Sequence, residues 1–271
     1  MKAVLLARGL GSRMKQEADA AALTPTQAAA AAAGAKGMMP IGNGFNRPFL
    51  DFVLSALADA GCTEVCLVVA PDHAVMRDYY EGRGRPSRVR ISYAVQEIAN
   101  GTARAVQAAQ QFAGRDPFLV LNSDNLYSPQ VLRALVDLDG PGLPGYEREA
   151  LVQESGFPAE RVISFAAIEV DGNGFLTRII EKPGREYFDA AGPHALISMN
   201  VWRFDETIFD ACRDVPISKR GEYELPEAVG LAVARGVKFR VVPAAGAVLD
   251  LSRRSDVALV SDRLAGQEPR P

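Results

Sequence analysis

Apolar residues along this chain gather into short runs bounded by Gly, Pro, Asn and Asp. Eight such runs have strand character, at residues 3–7, 64–70, 89–95, 118–122, 163–170, 176–181, 197–204 and 238–244. Nearly continuous Val, Ile, Leu and Phe over five to eight residues, rather than strict alternation, marks strands buried on both faces. Between the early runs the period changes to that of a helix. In residues 46–61, Asn46 is placed as an N-cap, Pro48 falls in the first turn, Leu50, Val53, Leu54 and Leu57 share one face, and Gly61 is the stop. A second helix is predicted from Thr102 to about Phe112. Strand and helix in alternation predict an α/β fold with a mostly parallel sheet covered on both faces.

Three stretches fall outside that rhythm. Residues 16–35 are rich in alanine. Thr24 and Gln27 form a capping-box pair around Pro25 and Gly34 closes the run, so a short helix is expected over 25–33, either as a lid beside the first glycine loop or as a neutral spacer. Residues 139–160 are rich in Gly and Pro and are expected to be a long loop over one end of the sheet. The last six residues, GQEPRP, are expected to fray.

With 271 residues, 48% of them hydrophobic, the chain can form one large core, and a single domain over 1–271 is the expectation. A formal net charge of −3 provides no global positive field, which argues against nucleic acid or an anionic membrane as partner. Cys62, Cys66 and Cys212 lack metal-ligand spacing, and no apolar run is long enough for a leader or a membrane span. A cytoplasmic protein is the expectation, with homo-oligomer formation left open.

Candidate chemistry collects where apolar runs end. Gly9 and Gly11 follow the first strand and let backbone N–H groups approach phosphate oxygens, while Ser12 and Arg13 bring a hydroxyl and a cation. Met14 stands where a dinucleotide fingerprint needs its third glycine, which disfavours a nicotinamide cofactor. Asp124 follows the run at 118–122 and Asp250 another apolar stretch; Mg²⁺ commonly takes one or two carboxylates and leaves its other positions to phosphate and water. Gln96 and Gly101 join a strand to a helix, and a Gln amide matches the imide edge of uracil or thymine. Glu181 offers a carboxylate for sugar hydroxyls, with Lys182, Lys219 and Arg220 as phosphate-binding cations. For each piece alone, an ordinary turn, helix cap or surface ion pair is the competing reading.

Taken in order, the segments LLARGLGSRM, KGMMPIG, RPFLDFVLSALADAG, VQEIANGTARAV, LVLNSDNLY, FAAIEVDGNGFLTRIIEKP, SKRGEYELPEAV and VLDLSRRSD resemble the sugar-1-phosphate nucleotidyltransferases, and most of all their glucose-1-phosphate thymidylyltransferase branch. The resemblance covers almost the whole chain. It implies a three-layer α/β/α, Rossmann-like fold around a mixed, mostly parallel sheet, and a Mg²⁺-dependent reaction of an NTP, dTTP or UTP favoured, with a sugar 1-phosphate. It assigns Leu6, Ala7, Gly9, Gly11, Ser12, Arg13, Gln96, Gly101 and Thr102 to the nucleotide. Asn122, Ala166, Glu181, Lys182, Asn200 and Arg220 go to the sugar phosphate, Asp124 and Asp250 to the metal, and Lys36 to the family's loop lysine. Arg13, Lys36, Asp124, Lys182 and Arg220 are the implied catalytic set. The chain departs from the family pattern at Arg8, at Lys36-Gly37, at Phe165-Ala166, at Asn200 and after Asp250. A non-catalytic nucleotide-sugar sensor of the same fold is the alternative.

Overall fold

The computed structural model of the chain describes residues 1–9, 11–15, 23–42 and 46–271. Residues 16–22 of the alanine-rich segment lie outside the described residues. Its strands in chain order are β1 (Lys2–Leu6), β2 (Pro40–Ile41), β3 (Arg47–Pro48), β4 (Glu64–Val69), β5 (Arg90–Val95), β6 (Phe118–Asn122), β7 (Asn125–Leu126), β8 (Gly142–Glu147), β9 (Ala166–Val170), β10 (Leu176–Ile180), β11 (Leu196–Ser198), β12 (Val201–Phe204), β13 (Arg240–Ala244) and β14 (Leu249–Asp250). Ten of them form one mixed sheet in the order β10-β9-β11-β8-β12-β6-β1-β4-β5, with β13 beside β8. One half, β6-β1-β4-β5, is parallel. The other half is built mainly from antiparallel pairs.

Alternation within the buried strands sends side chains to two cores. In β1, Ala3 and Leu5 face one and Val4 the other; in β6, Leu119 and Leu121 oppose Phe118 and Val120. The helix Phe49–Asp59 covers the first face with Phe49, Leu50, Val53, Leu54 and Leu57, and the helix Leu225–Ala234 covers the second with Leu225, Ala228, Val229 and Ala232. Each fully buried Leu or Phe contributes about 2 kcal/mol, so both faces of the sheet must be covered for the fold to persist. The result is three layers.

Several sequence expectations are corrected. Residues 139–160 contain strand β8 and the helices Arg148–Ser155 and Ala159–Val162 instead of a loop. The glycines that suggested a loop are contact positions: a Cβ at Gly142 would come within 2.5 Å of the Arg240 carbonyl oxygen, and one at Gly145 within 2.8 Å of Val241. They let β13 lie close against β8. The run at 197–204 is two strands rather than one, because Asn200 adopts φ 58° and ends β11 before β12 begins. Asn46 does not cap the helix at Phe49; its φ is 47° and Pro48 occupies the N-cap. The second helix divides into Thr102–Ala108 and Gln110–Ala113 around Ala109. The final residues are tied down, since the Ser87 N–H donates to the Pro271 carbonyl at 2.9 Å and the Arg270 N–H to the Ser55 hydroxyl at 2.6 Å.

One polar cluster anchors the first face. Asp51, fully buried, accepts from Arg47 Nε at 2.6 Å, Tyr79 at 2.8 Å and Tyr80 at 3.0 Å. It ties the helix Phe49–Asp59 to the helix Ala74–Glu81. Replacing it strands three donors, while Arg47 still reaches solvent. Asp51→Ala is therefore expected to lower unfolding free energy by about 3 kcal/mol in urea denaturation, and Asp51→Asn by less because it keeps one acceptor.

Candidate functional site

The site lies beyond the carboxyl ends of β1 and β6, where the first glycine loop leaves the sheet. The Ser123 N–H donates to the Leu6 carbonyl at 3.2 Å, which sets the two strand ends side by side. Two adjoining cavities open there. One, of about 680 Å³, is lined by Gly11, Arg13, Ala166, Glu181, Lys182, Asn200, Arg220 and Asp250. The other, of about 350 Å³, is lined by Ala7, Arg8, Gln96 and Gly101. Leu6, Gly9, Ser12, Lys36, Thr102, Asn122 and Asp124 belong to both. Every residue that the resemblance assigned to the site lines one continuous cleft, whereas Lys219, named from the sequence beside Arg220, lines neither cavity.

The glycine loop is braced from outside. Gly11 has φ 62°, and a Cβ on it would come within 2.5 Å of the Gly34 carbonyl oxygen. Gly34 is the left-handed C-cap of the helix Pro25–Ala33, whose N-terminus carries the reciprocal Thr24–Gln27 capping box. The alanine-rich helix thus packs its end against the glycine loop. Two residues further on, Lys36 returns to the cleft and its Nζ lies 2.7 Å from Asp124 Oδ2. Arg254 Nε donates to the Met14 carbonyl at 2.9 Å and fixes the other end of the short helix Ser12–Lys15. Arg13 is exposed on that helix, and among the described residues it makes no ion pair.

The two acids named from the sequence are neighbours. β14 pairs with β7 so that Asp250 sits opposite Asn125, and the Leu251 N–H donates to the Asp124 carbonyl at 2.8 Å. Burial, then the Asp124 charge, push the Asp250 carboxyl up to about 6, against the pull of Arg161 and Ser252. Two crowded carboxylates of this kind suit one divalent cation with phosphate oxygens completing its shell. Among the described residues no third Asp, Glu, His or Cys joins them. Each acid has a cation of its own. Lys36 takes Asp124, and Arg161, which the sequence reading missed, takes Asp250 at 2.8 Å and Asp256 at 2.6 Å.

In the smaller cavity, Gln96 is buried and its Nε2 donates to the Gly101 carbonyl at 3.0 Å. Arg8 Nε donates to the Gln96 carbonyl at 2.9 Å and so holds that strand end from across the loop. At the other end of the cleft, Glu181, Lys182 and Asn200 stand together, with Lys182 at φ 45° and Asn200 at φ 58°. Left-handed backbone at two non-glycine residues costs about 1 kcal/mol each, and such strain collects at ligand sites. Glu181 opens to solvent, yet the crowding of the cleft around its carboxyl first, and the Glu224 charge second, raise it.

Glu224 is the second residue that the sequence reading passed over. It accepts from Arg220 Nε at 2.8 Å and from the Ser218 hydroxyl at 2.6 Å, and it aims the guanidinium that was expected to bind phosphate. No local pattern distinguishes it from the neighbouring Glu222.

Three comparisons with known proteins bear on this arrangement. Residues 2–248 match the family described as Nucleotidyl transferase. The low-salt glycan biosynthesis nucleotidyltransferase of Haloferax volcanii is 28% identical over 233 residues, 84% of this chain and 56% of that protein. The UTP–glucose-1-phosphate uridylyltransferase of the same organism is 27% identical over 270 residues, 97% of this chain and 96% of that protein. The chain thus spans little more than half the length of the first relative and nearly all of the second. A crystal structure of UDP-glucose pyrophosphorylase complexed with UDP-glucose shares the fold, with a TM-score of 0.74 over 97% of both chains at 18% identity.

Arg220's hydrogen bond and charge hold the Glu224 carboxyl below its ordinary value of 4.5. The stabilisation from this pair is complete above that value and drains away as pH falls through the depressed one. Arg220 is half exposed, so water limits the effect to about 1 kcal/mol. Glu224→Gln is expected to flatten the acid limb of the stability profile below pH 4.5, read from thermal melts across pH.

Proposed function

This chain belongs to the nucleotidyl transferase family, and from that premise we propose that it joins an NTP, UTP or dTTP favoured, to a sugar 1-phosphate, giving an NDP-sugar and pyrophosphate. The observation that carries the reading is the pairing of β14 with β7, which sets Asp124 and Asp250 together in the cleft shared by Arg13, Lys36, Lys182 and Arg220. We read the whole chain as one such domain.

The chemistry required is modest and the electrostatics severe. A phosphate oxygen of the sugar 1-phosphate attacks the α-phosphorus, a new P–O bond forms, and the bond to the pyrophosphate oxygen breaks with its electron pair leaving on pyrophosphate. The nucleophile is already an anion, so no general base is called for. The barrier lies in bringing two polyanions together in line, and positioned cations lower it by both orientation and charge.

In this reading Gly9, Gly11, Ser12 and Arg13 take the β- and γ-phosphates. Gln96 and Gly101 take the base: with one amide N–H of Gln96 held by the Gly101 carbonyl, its oxygen is free to accept the imide N–H of uracil or thymine. Lys182 and Arg220 take the attacking phosphate, with Glu181 and Asn200 on the sugar. Asp124 and Asp250 would hold Mg²⁺, which when bound to them neutralises charge on the α-phosphate. Lys36, held beside Asp124, would take the leaving pyrophosphate.

The test is a pyrophosphate-release assay crossing four NTPs with hexose and heptose 1-phosphates. Release with at least one pair is expected. Asp124→Asn should cut turnover at least about a hundredfold while changing unfolding free energy by no more than about 1 kcal/mol, because its ion pair with Lys36 is partly solvated. Near-native turnover in that variant would remove the metal assignment.

A further inference from the structure

The base side and the phosphate side of the cleft are spliced by main chain at one place. Tyr223 belongs to the turn that carries Arg220; its N–H donates to the Asn100 carbonyl at 2.8 Å and its carbonyl accepts from the Ala103 N–H at 2.9 Å. Next to these bonds, the Thr102 hydroxyl accepts the Leu225 N–H at 2.8 Å. Gly101 makes the approach possible, since at φ 120° a Cβ there would come within 2.3 Å of the Tyr223 carbonyl oxygen. Inside the turn, the Gly221 N–H donates to the Ser218 carbonyl and the Ser218 N–H to the Glu222 carbonyl, both at 2.9 Å, which closes the segment on itself. Its seat is the stretch from Asn100 to Ala103, which on the other side forms the wall around Gln96.

Leu225 opens the helix Leu225–Ala234, and the N-cap residue Glu224 provides no side-chain cap because its carboxylate is spent on Arg220 and Ser218. A helix leaves its first N–H groups without internal partners. Thr102 supplies the missing acceptor from another element.

We propose that Thr102, through its hydroxyl, is a positioning residue for Arg220, so that the loop taking the nucleobase also sets the grip on the attacking phosphate. Loss of the hydroxyl frees an N–H at the base of the Arg220 turn and lets that turn shift against the loop. The identity of the phosphate rests on the nucleotidyl-transfer reading; the placement of Arg220 by Thr102 does not.

The experiment compares Thr102→Val, Thr102→Ala and Thr102→Ser with the unaltered chain. Affinity for glucose 1-phosphate and for inorganic phosphate is read from the fluorescence of Trp202, the single tryptophan, which lines the same cleft. Each Thr102 variant is also made in a chain carrying Arg220→Met. Valine and alanine are expected to weaken phosphate binding about tenfold, with serine restoring it, and to add less than about twofold once Arg220 is methionine. A hydroxyl that acts on the phosphate pocket by any other route would weaken binding by the same factor in both backgrounds. Equal weakening in the two backgrounds, unchanged phosphate affinity in the valine and alanine variants, or a phosphate response unaffected by Arg220→Met would each overturn the proposal. Absence of transfer with every NTP and sugar 1-phosphate, with this binding pattern intact, would remove the functional reading and leave the positioning role standing.

Discussion

The site depends on a short antiparallel contact between two segments far apart in sequence. β14 and β7 are only two residues each, yet their pairing and the Leu251 N–H to Asp124 carbonyl bond fix two carboxylates against each other at the end of the parallel half-sheet. Such an arrangement is unfavourable in isolation. Desolvation and mutual repulsion raise Asp250, and the fold meets that cost by placing Arg161 and the Ser252 hydroxyl on Asp250 and Lys36 on Asp124. Without those counter-charges, one carboxyl would have to take up a proton instead.

The same arrangement recurs across the cleft. Arg220 is held by Glu224, and Glu224 in turn by Ser218, before any ligand is considered. Under the proposed function, a cleft for highly charged substrates must keep cations in reach without letting them collapse onto the nearest acid. Two different solutions are used. Lys36 and Arg220 are parked on carboxylates that orient them, whereas Arg13 and Lys182 stay exposed and, among the described residues, without an ion pair. Parking costs binding energy when a phosphate arrives and returns it as orientation, because a guanidinium already held in place loses less freedom on binding.

How much of this was legible in the sequence follows from the kind of signal each residue carries. Gly9, Gly11, Asp124 and Asp250 sit where apolar runs stop, and that position alone puts them at strand ends. Strand β8 was illegible for the opposite reason: Gly142 and Gly145 look like turn residues in one dimension and are close-approach positions in three. Arg161 and Glu224 lack any local pattern, because their partners are chosen by tertiary approach across 89 residues in one case and by competition between two nearby glutamates in the other. Asn46 failed as a cap since the chain enters the helix through the β3 pairing with β2, which leaves Pro48 in the N-cap.

The departures from the family pattern acquire a physical meaning once placed. The Arg8 guanidinium spans from the glycine loop to the Gln96 and Glu97 carbonyls, tying that loop to the segment after β5. The alanine-rich helix lengthens the path from Arg13 to Lys36, yet its Gly34 cap closes on Gly11 and carries Lys36 back to Asp124. After Asp250, another point of departure, Arg254 reaches Met14. Arg8, the inserted helix and the segment after Asp250 each add a cross-link to the same loop. A glycine-rich loop keeps an open backbone at an entropic cost; under the proposed function, bracing from the Gln96 side, the inserted helix and the segment after Asp250 orders this loop before the nucleotide arrives.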